Sequence, residues 1–230
     1  MKKKAIRGQM SESTAVIGLL CISGGFQDAY TFDCRGGVFA NAQTGNMVLM
    51  GQNFAMGHWQ TGLRYLIPVL AFAAGVYFAE RVKRRYKSQE GIHWRQIILL
   101  LEAVLLLGVG VMPQGMNIAA NVLVSFVCAM QVQSFRKLNG NAYATTMCIG
   151  NMRTATELMC SYHCTKEKAL RDKSLLYFGF IGIFILGAAL GGAASHFLEE
   201  KAIWVSSLLL AAAFAMMFIK EDIEAHGFKE

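Results

Sequence analysis

Apolar residues in this chain gather into long runs rather than scattering singly. Thr14–Phe32, Leu63–Ala79, Ile97–Met112, Met116–Phe135, Ser174–Ser195 and Ile203–Ile219 are each apolar with few charges. A run of about 20 such residues is what a helix needs to cross the hydrocarbon core of a bilayer. The pattern predicts an all-α polytopic membrane protein built as a single membrane domain over 1–230.

Two stretches break the apolar pattern in the same way. Residues 37–51 read GVFANAQTGNMVLMG, and residues 145–154 read TTMCIGNMRT. The Gly-Asn-Met triplet returns after 105 residues, and a shift of 105 also brings four hydrophobic segments into register. The agreement of the flanking runs, more than the triplet, points to a tandem duplication. Repeat one is expected over 13–112 and repeat two over 118–219. Each is read as helix, motif segment, helix, helix.

Charge decides how often the chain crosses. If all eight segments span, Lys and Arg divide 11 inside to 10 outside, which is no bias. If the two motif segments are re-entrant and six helices cross, the division becomes 18 inside to 3 outside (Arg35, Arg64 and Lys201), with Arg153 in the second motif segment. Cytoplasmic loops carry the Lys/Arg excess, so six transmembrane helices plus two re-entrant or broken helical segments are predicted. The re-entrant pair is assigned to the Gly/Asn/Gln-rich segments because lipid-facing helices rarely carry that composition. Both termini are then cytoplasmic, in the plasma (inner) membrane. Three crossings per half place the halves in opposite orientation, as inverted repeats.

Composition agrees. The 230 residues are 54% hydrophobic and 16% charged, against about 25% charged in soluble domains. The N-terminal MKKKAIRGQM resembles a signal peptide, but the apolar run after it is too long for one and is read as a retained helix. The net charge of +7 is assigned to cytoplasmic loops and not to nucleic acid. The six cysteines sit mostly inside apolar runs, where Cys behaves as a small hydrophobe; no disulfide framework is expected. No GxSxG, Walker loop, HExxH or paired catalytic carboxylates occur, so neither an enzyme nor a cofactor is expected.

Irregular backbone at membrane depth survives only where protein buries it or it lines an aqueous cavity. Gly45 and Gly150 are read as helix breaks that admit a close approach. Short helices are expected after them, from Met47 and Met152, with their N-terminal amides toward the midplane. Asn46 and Asn151 either cap these helices or bind substrate; the alternative is a tight helix contact among small polar residues.

Ionisable residues inside spans are costly and are functional candidates by default. Asp28 is placed either as a proton, cation or amine site or as an interfacial partner of Arg35. Glu102, in IILLLEAVLLL, is either protonated or paired with Arg153. Arg153 and Glu157 are spaced to pair with each other on one helix face. CSYHC at 160–164 lacks a second cluster to complete a metal site, and no metal is expected. Gly187, Gly191 and Gly192 form a small-residue face suited to packing within the protein or in a homo-oligomer.

The stretch GGFQDAYTFDCRGGVFANAQTGNMVLMG resembles the opening signature of the YoaK-like membrane proteins, a family catalogued as a domain of unknown function and described as candidate small-molecule transporters. The residues that carry the likeness are Gly25, Asp28-Ala29, Phe32, Gly37, Phe39, Thr44-Gly45-Asn46 and Gly51. A second signature is similar at Met130, Gln133, Arg136, Gly140, Thr145-Thr146 and Gly150. Gln131 stands where the family usually has Gly, and Ile149 where it usually has Thr. The resemblance implies a six-helix membrane protein and transport, without a settled substrate.

The expected function is transport of a small polar molecule at a site between the two Gly-Asn segments. The substrate-binding candidates are Asp28, Asn41, Thr44, Gly45, Asn46, Gln133, Thr145, Thr146, Gly150 and Asn151. The proton-coupling candidates are Asp28, Glu102, Arg153 and Glu157. The alternatives are a passive channel or permease, and a non-transporting membrane module that binds a partner through basic faces such as 81–95.

Overall fold

The structure is a computed structural model; it describes residues 12–87, 93–138 and 141–226, with side chains through residue 218. The basic N-terminus, Gly140, the Lys220 side chain and Lys229 lie outside that description. Among the described residues there are eight α-helices: α1 Thr14–Cys34, α2 Gln43–Ala55, α3 Trp59–Tyr86, α4 Trp94–Val109, α5 Asn117–Ser134, α6 Cys148–Thr165, α7 Lys168–Leu198 and α8 Ile203–His226. The one hairpin among them pairs β1 Lys137–Leu138 with β2 Asn141–Ala142.

The all-helical expectation holds. Trp59–Tyr86, Gln114–Ser134 and the nearly continuous helical stretch Lys168–Phe218 are long and apolar enough to cross a membrane. Large apolar side chains stay uncovered on the outer faces, among them Leu70, Ile149, Leu186 and Phe197. Such a surface suits lipid, not water. α3 runs past the apolar stretch Leu63–Ala79 at both ends, closing on Lys83, Arg84 and Arg85, which favour the negative end of the helix dipole.

Local chemistry sets the helix ends. Ser13 caps α1 by accepting from the Val16 amide at 3.4 Å, and a His93–Gln96 capping box opens α4. After α1 the chain turns through Gly36 and Gly37, both at positive φ, a conformation glycine adopts without steric cost.

Contacts at the two ends fix the direction of each long helix. At one end Arg95, opening α4, meets Glu12 ahead of α1 at 3.9 Å and donates to the Ser134 carbonyl closing α5 at 2.8 Å. At the other end Arg35, just past α1, donates to the Val109 carbonyl closing α4, to the Met112 carbonyl just beyond it and to Asn117 opening α5. There too Tyr30 donates to the Glu200 carbonyl ahead of α8, and Cys34 lies against the Ser195 carbonyl near the close of α7. Hence α1, α4 and α7 run one way and α5 and α8 the other. α3 lies along α5 in the same direction, with Gly75 against Phe126 and Glu80 bonded to Gln133.

The two halves pack across one another. α1 lies on α7 and α5 lies on α3; α2 folds against α3 and α6 against α7; α4 meets α8. Glycines allow the first of these contacts. A Cβ on Gly191 would stand 2.6 Å from the Phe26 carbonyl oxygen, and one on Gly25 or Gly187 would come closer still to the Phe184 or Ile22 carbonyl. The small-residue face 187–192 therefore packs within the chain. α1 and α5 are inner helices, buried on most sides.

Candidate functional site

The connections before α2 and α6 both turn back into the protein. From Cys34 the chain doubles back along α1, so that Asn41 lies beside Gly24 and Asp28; α2 then returns to the end where α3 begins. From Ser134 the chain passes the short hairpin and turns inward, where Thr145 meets Gln131 and Thr146 meets Gly24. α6 then returns toward the end where α7 begins.

One amide side chain holds each loop. Asn46 donates to the Phe39 carbonyl at 2.7 Å and accepts from the Phe39 amide at 3.3 Å. Asn151 does the same to Ala144, at 2.6 and 3.3 Å. Both reach back seven residues, and the two pairs are themselves 105 residues apart. These asparagines thus satisfy backbone groups that an extended segment would otherwise leave unpaired in a low-dielectric interior. The helices also begin earlier than the glycine-break reading expected. α2 starts at Gln43 and α6 at Cys148, so Gly45 and Gly150 are both helical. Neither admits a close neighbour: the nearest atom to a Cβ on Gly45 would be on the Phe39 ring at 3.7 Å, and a Cβ on Gly150 would meet nothing within 4 Å.

The two loops converge on the middle of α1. The Asn41 side chain donates to the Gly24 carbonyl at 3.2 Å, while the Thr146 methyl packs directly on Gly24, where a Cβ would come within 2.5 Å of it. The Asp28 carboxylate anchors the first loop by accepting from the Asn41 backbone amide at 2.7 Å. Gln131 anchors the second, donating to the Leu20 carbonyl at 3.0 Å and to Thr145 at 3.2 Å.

A second polar cluster adjoins the first. Gln27 donates to Ser23 at 2.8 Å and to Ser206 at 2.9 Å, and accepts from the Cys128 thiol at 2.8 Å. It thus joins α1, α5 and α8. Cys128 lies within electrostatic reach of both Asp28 and Glu102. Glu102 is fully buried, and neither carboxylate oxygen has a hydrogen-bond partner. Asn41 Oδ1, Gln131 Oε1 and Thr146 Oγ1 are also buried without partners.

The remaining sequence candidates lie apart from this convergence. Thr44 is exposed. Gln133 bonds Glu80 at 2.9 Å. Arg153 pairs with Glu157 at 2.8 Å on an exposed face, so Glu102 does not pair with Arg153. Nor does Asp28 pair with Arg35. The Arg35 side chain is 1% exposed, and its guanidinium donates to Tyr30 and Asn117 and to the Val109 and Met112 carbonyls. Gln27, Gln131, Cys128 and Ser206 were not singled out as site residues by the sequence reading. The available signal was a glutamine beside Asp28 in a membrane-length helix, where any polar side chain is costly.

Near the close of α1 and α7 an open cavity of about 630 Å³ is lined by Asp33, Gln114, Ser195, His196, Glu199 and Glu200, among others. Among the described residues there is no group of three or more His, Cys, Asp or Glu side chains placed to hold a metal ion.

A family model described as "Protein of unknown function (DUF1275)" matches residues 16–216. No curated protein and no solved structure matches the chain.

Proposed function

The chain belongs to the DUF1275 family of proteins of unknown function, and from its geometry we propose that it is a membrane transporter of a small polar molecule. The observation that carries this reading is the meeting of two inward-turned loops at Gly24, deep in the molecule, where Asn41 and Thr146 arrive from opposite ends. Polar backbone held at such depth is expected where a site must be formed.

In this reading α1, α3, α4, α5, α7 and α8 cross the membrane, and the α2 and α6 segments are re-entrant. Repeat one, 13–112, and repeat two, 118–219, are inverted about an axis in the membrane plane. The mirrored pairings of α1 with α7 and α3 with α5 support this, as do the matching asparagine clamps. Arg81–Arg85, Arg95, Arg136, Lys137 and Lys166–Lys173 gather where α3, α5 and α6 end and α4 and α7 begin. The positive-inside rule assigns that end to the cytoplasm of the plasma (inner) membrane. The resemblance to the YoaK-like proteins points the same way.

Solute binds at the loop convergence, contacting Asn41 and Thr146, and one half rocks against the other. Glu102 takes up the coupling proton. Asp28 contributes through the loop it anchors, since a proton on its carboxylate would take the charge from the bond with the Asn41 amide and weaken the hold on that loop.

Reconstitution in liposomes tests the proposal. Uptake of a radiolabelled solute against its gradient after a pH step, lost in Glu102→Gln, is the expected result. Downhill flux indifferent to pH and to that substitution would make the protein a channel. Absence of flux across a broad metabolite panel would remove transport altogether.

A further inference from the structure

We propose that the solute is a small organic cation that donates hydrogen bonds, of the ammonium or guanidinium type. This rests on the transport reading and names the chemistry of the same site.

Orientation of the amides is the first argument. A backbone carbonyl can only accept, so the Asn41 NH₂ must face the Gly24 oxygen and the Gln131 NH₂ must face the Leu20 oxygen. Their own oxygens, Asn41 Oδ1 and Gln131 Oε1, are left buried without a partner. Glu102, linked to this region through Cys128, adds two oxygens that likewise have no partner. A purely accepting solute would find the Thr146 hydroxyl and, when Glu102 is protonated, its acid proton; an N–H donor finds more partners, and only a cation is also matched in charge.

The second argument is charge. Among the described residues no lysine, arginine or histidine bonds Glu102. The buried guanidinium of Arg35, at the end where α1 closes, is turned onto carbonyls and Asn117. A buried carboxylate with no counter-charge binds either a proton or a cation. Exchange balances: the cation settles against the Glu102 carboxylate as the acid releases its proton, and the site keeps the same charge throughout.

A third observation lies at the end of the bundle where α1 and α7 close. The cavity near the close of α1 and α7 presents Asp33, Glu199 and Glu200. Ser195, 5% exposed, also lines it, and its buried hydroxyl has no partner. An acidic surface of this kind raises the local concentration of cations.

The test uses full-length protein in liposomes and in detergent, with guanidinium, tetramethylammonium, urea and acetate as probes at millimolar concentration. Guanidinium stays charged at any usable pH; urea has its shape without the charge, and tetramethylammonium has the charge without N–H groups. The expected result is saturable guanidinium flux that exceeds the other three by about tenfold or more, a difference of 1.4 kcal/mol. Glu102→Gln abolishes it, Glu102→Asp retains part of it, and Thr146→Val weakens it severalfold. Flux of urea or acetate without guanidinium overturns the cation inference while transport stands. Guanidinium that raises the unfolding temperature of the wild type but not of Glu102→Gln, with no flux of any probe, upholds the cation site and removes transport. No thermal shift and no guanidinium flux overturn the inference whichever other probe moves.

Discussion

Asn151 grips Ala144 by both of its backbone polar groups, donating to the carbonyl and accepting from the amide. Replacing Asn151 with Ala leaves two half-buried backbone groups unpaired, and the same holds for Asn46 and Phe39. Each alanine variant should lose about 2 kcal/mol of stability. Asn46→Asp should lose nearly as much, because it keeps the acceptor and removes the donor. Thermal unfolding in detergent reads this out; a variant as stable as wild type would show that the clamp is idle.

The glycines separate by what surrounds them. Gly25→Ala drives a methyl into the Phe184 carbonyl and should destabilise by about 2–3 kcal/mol as α1 and α7 are forced apart. Gly150→Ala meets nothing within 4 Å and should be neutral or stabilising by about 0.5–1 kcal/mol. A large loss at Gly150 with none at Gly25 would reverse the roles assigned to them.

Arg35 ties the far end of α1 to the end of α4. Arg35→Lys keeps the charge but cannot span Tyr30, Val109, Met112 and Asn117 at once. A loss of about 2–4 kcal/mol in unfolding free energy is expected. Unchanged stability in the lysine variant would mean that the fork of bonds is dispensable.

His93 gives the fold a pH dependence at its basic end. Burial first, and then the nearby Arg95 charge, hold the imidazole below its ordinary value, while Nδ1 accepts from the Arg95 amide at 3.3 Å. The folded value lies below the unfolded one of about 6.5. The stabilisation is therefore full above that pH and lost as pH falls through the folded value. Melting temperature should drop between about pH 7 and pH 5. His93→Asn, which can still cap the helix, should flatten that drop; an equal slope in both proteins would exclude His93 as its source.

The loop directions can be probed with thiols. Cys164, at the close of α6, is exposed, and Met56, at the close of α2, is likewise exposed. With Cys164 as the sole cysteine, a membrane-impermeant maleimide should label from the cytoplasmic side. With Met56→Cys as the sole cysteine, it should label from the opposite side. Labelling of both from one side would leave the α2 and α6 segments without mirrored entry.

Much of this arrangement was legible in the chain. Bilayer-length apolar runs carried the helical class, and the 105-residue shift pairs Asn46 with Asn151 and Phe39 with Ala144 before any coordinate is known. The role of those asparagines was not legible, because a side chain reaching back seven residues depends on the path of the loop and not on helical spacing. Gly45 and Gly150 misled for the same reason: glycine signals freedom, and here the clamp places the turn upstream of it. The central acceptors were hidden differently. Gln131 looked like a departure from a family pattern, and only the meeting of α1, α5 and the second loop shows that its oxygen is left over. Glu102 was visible from sequence alone, since nothing polar surrounds it there.

The crossed pairing of α1 with α7 has a consequence for biogenesis. α1 leaves the ribosome with Gly25 bare, and its mate, centred on Gly187 and Gly191, follows more than 150 residues later. At ordinary translation speeds that is a delay on the order of ten seconds. During this time the first helix must be sheltered by lipid, by the insertion machinery or by provisional neighbours, so assembly is a late event that waits for almost the whole polypeptide.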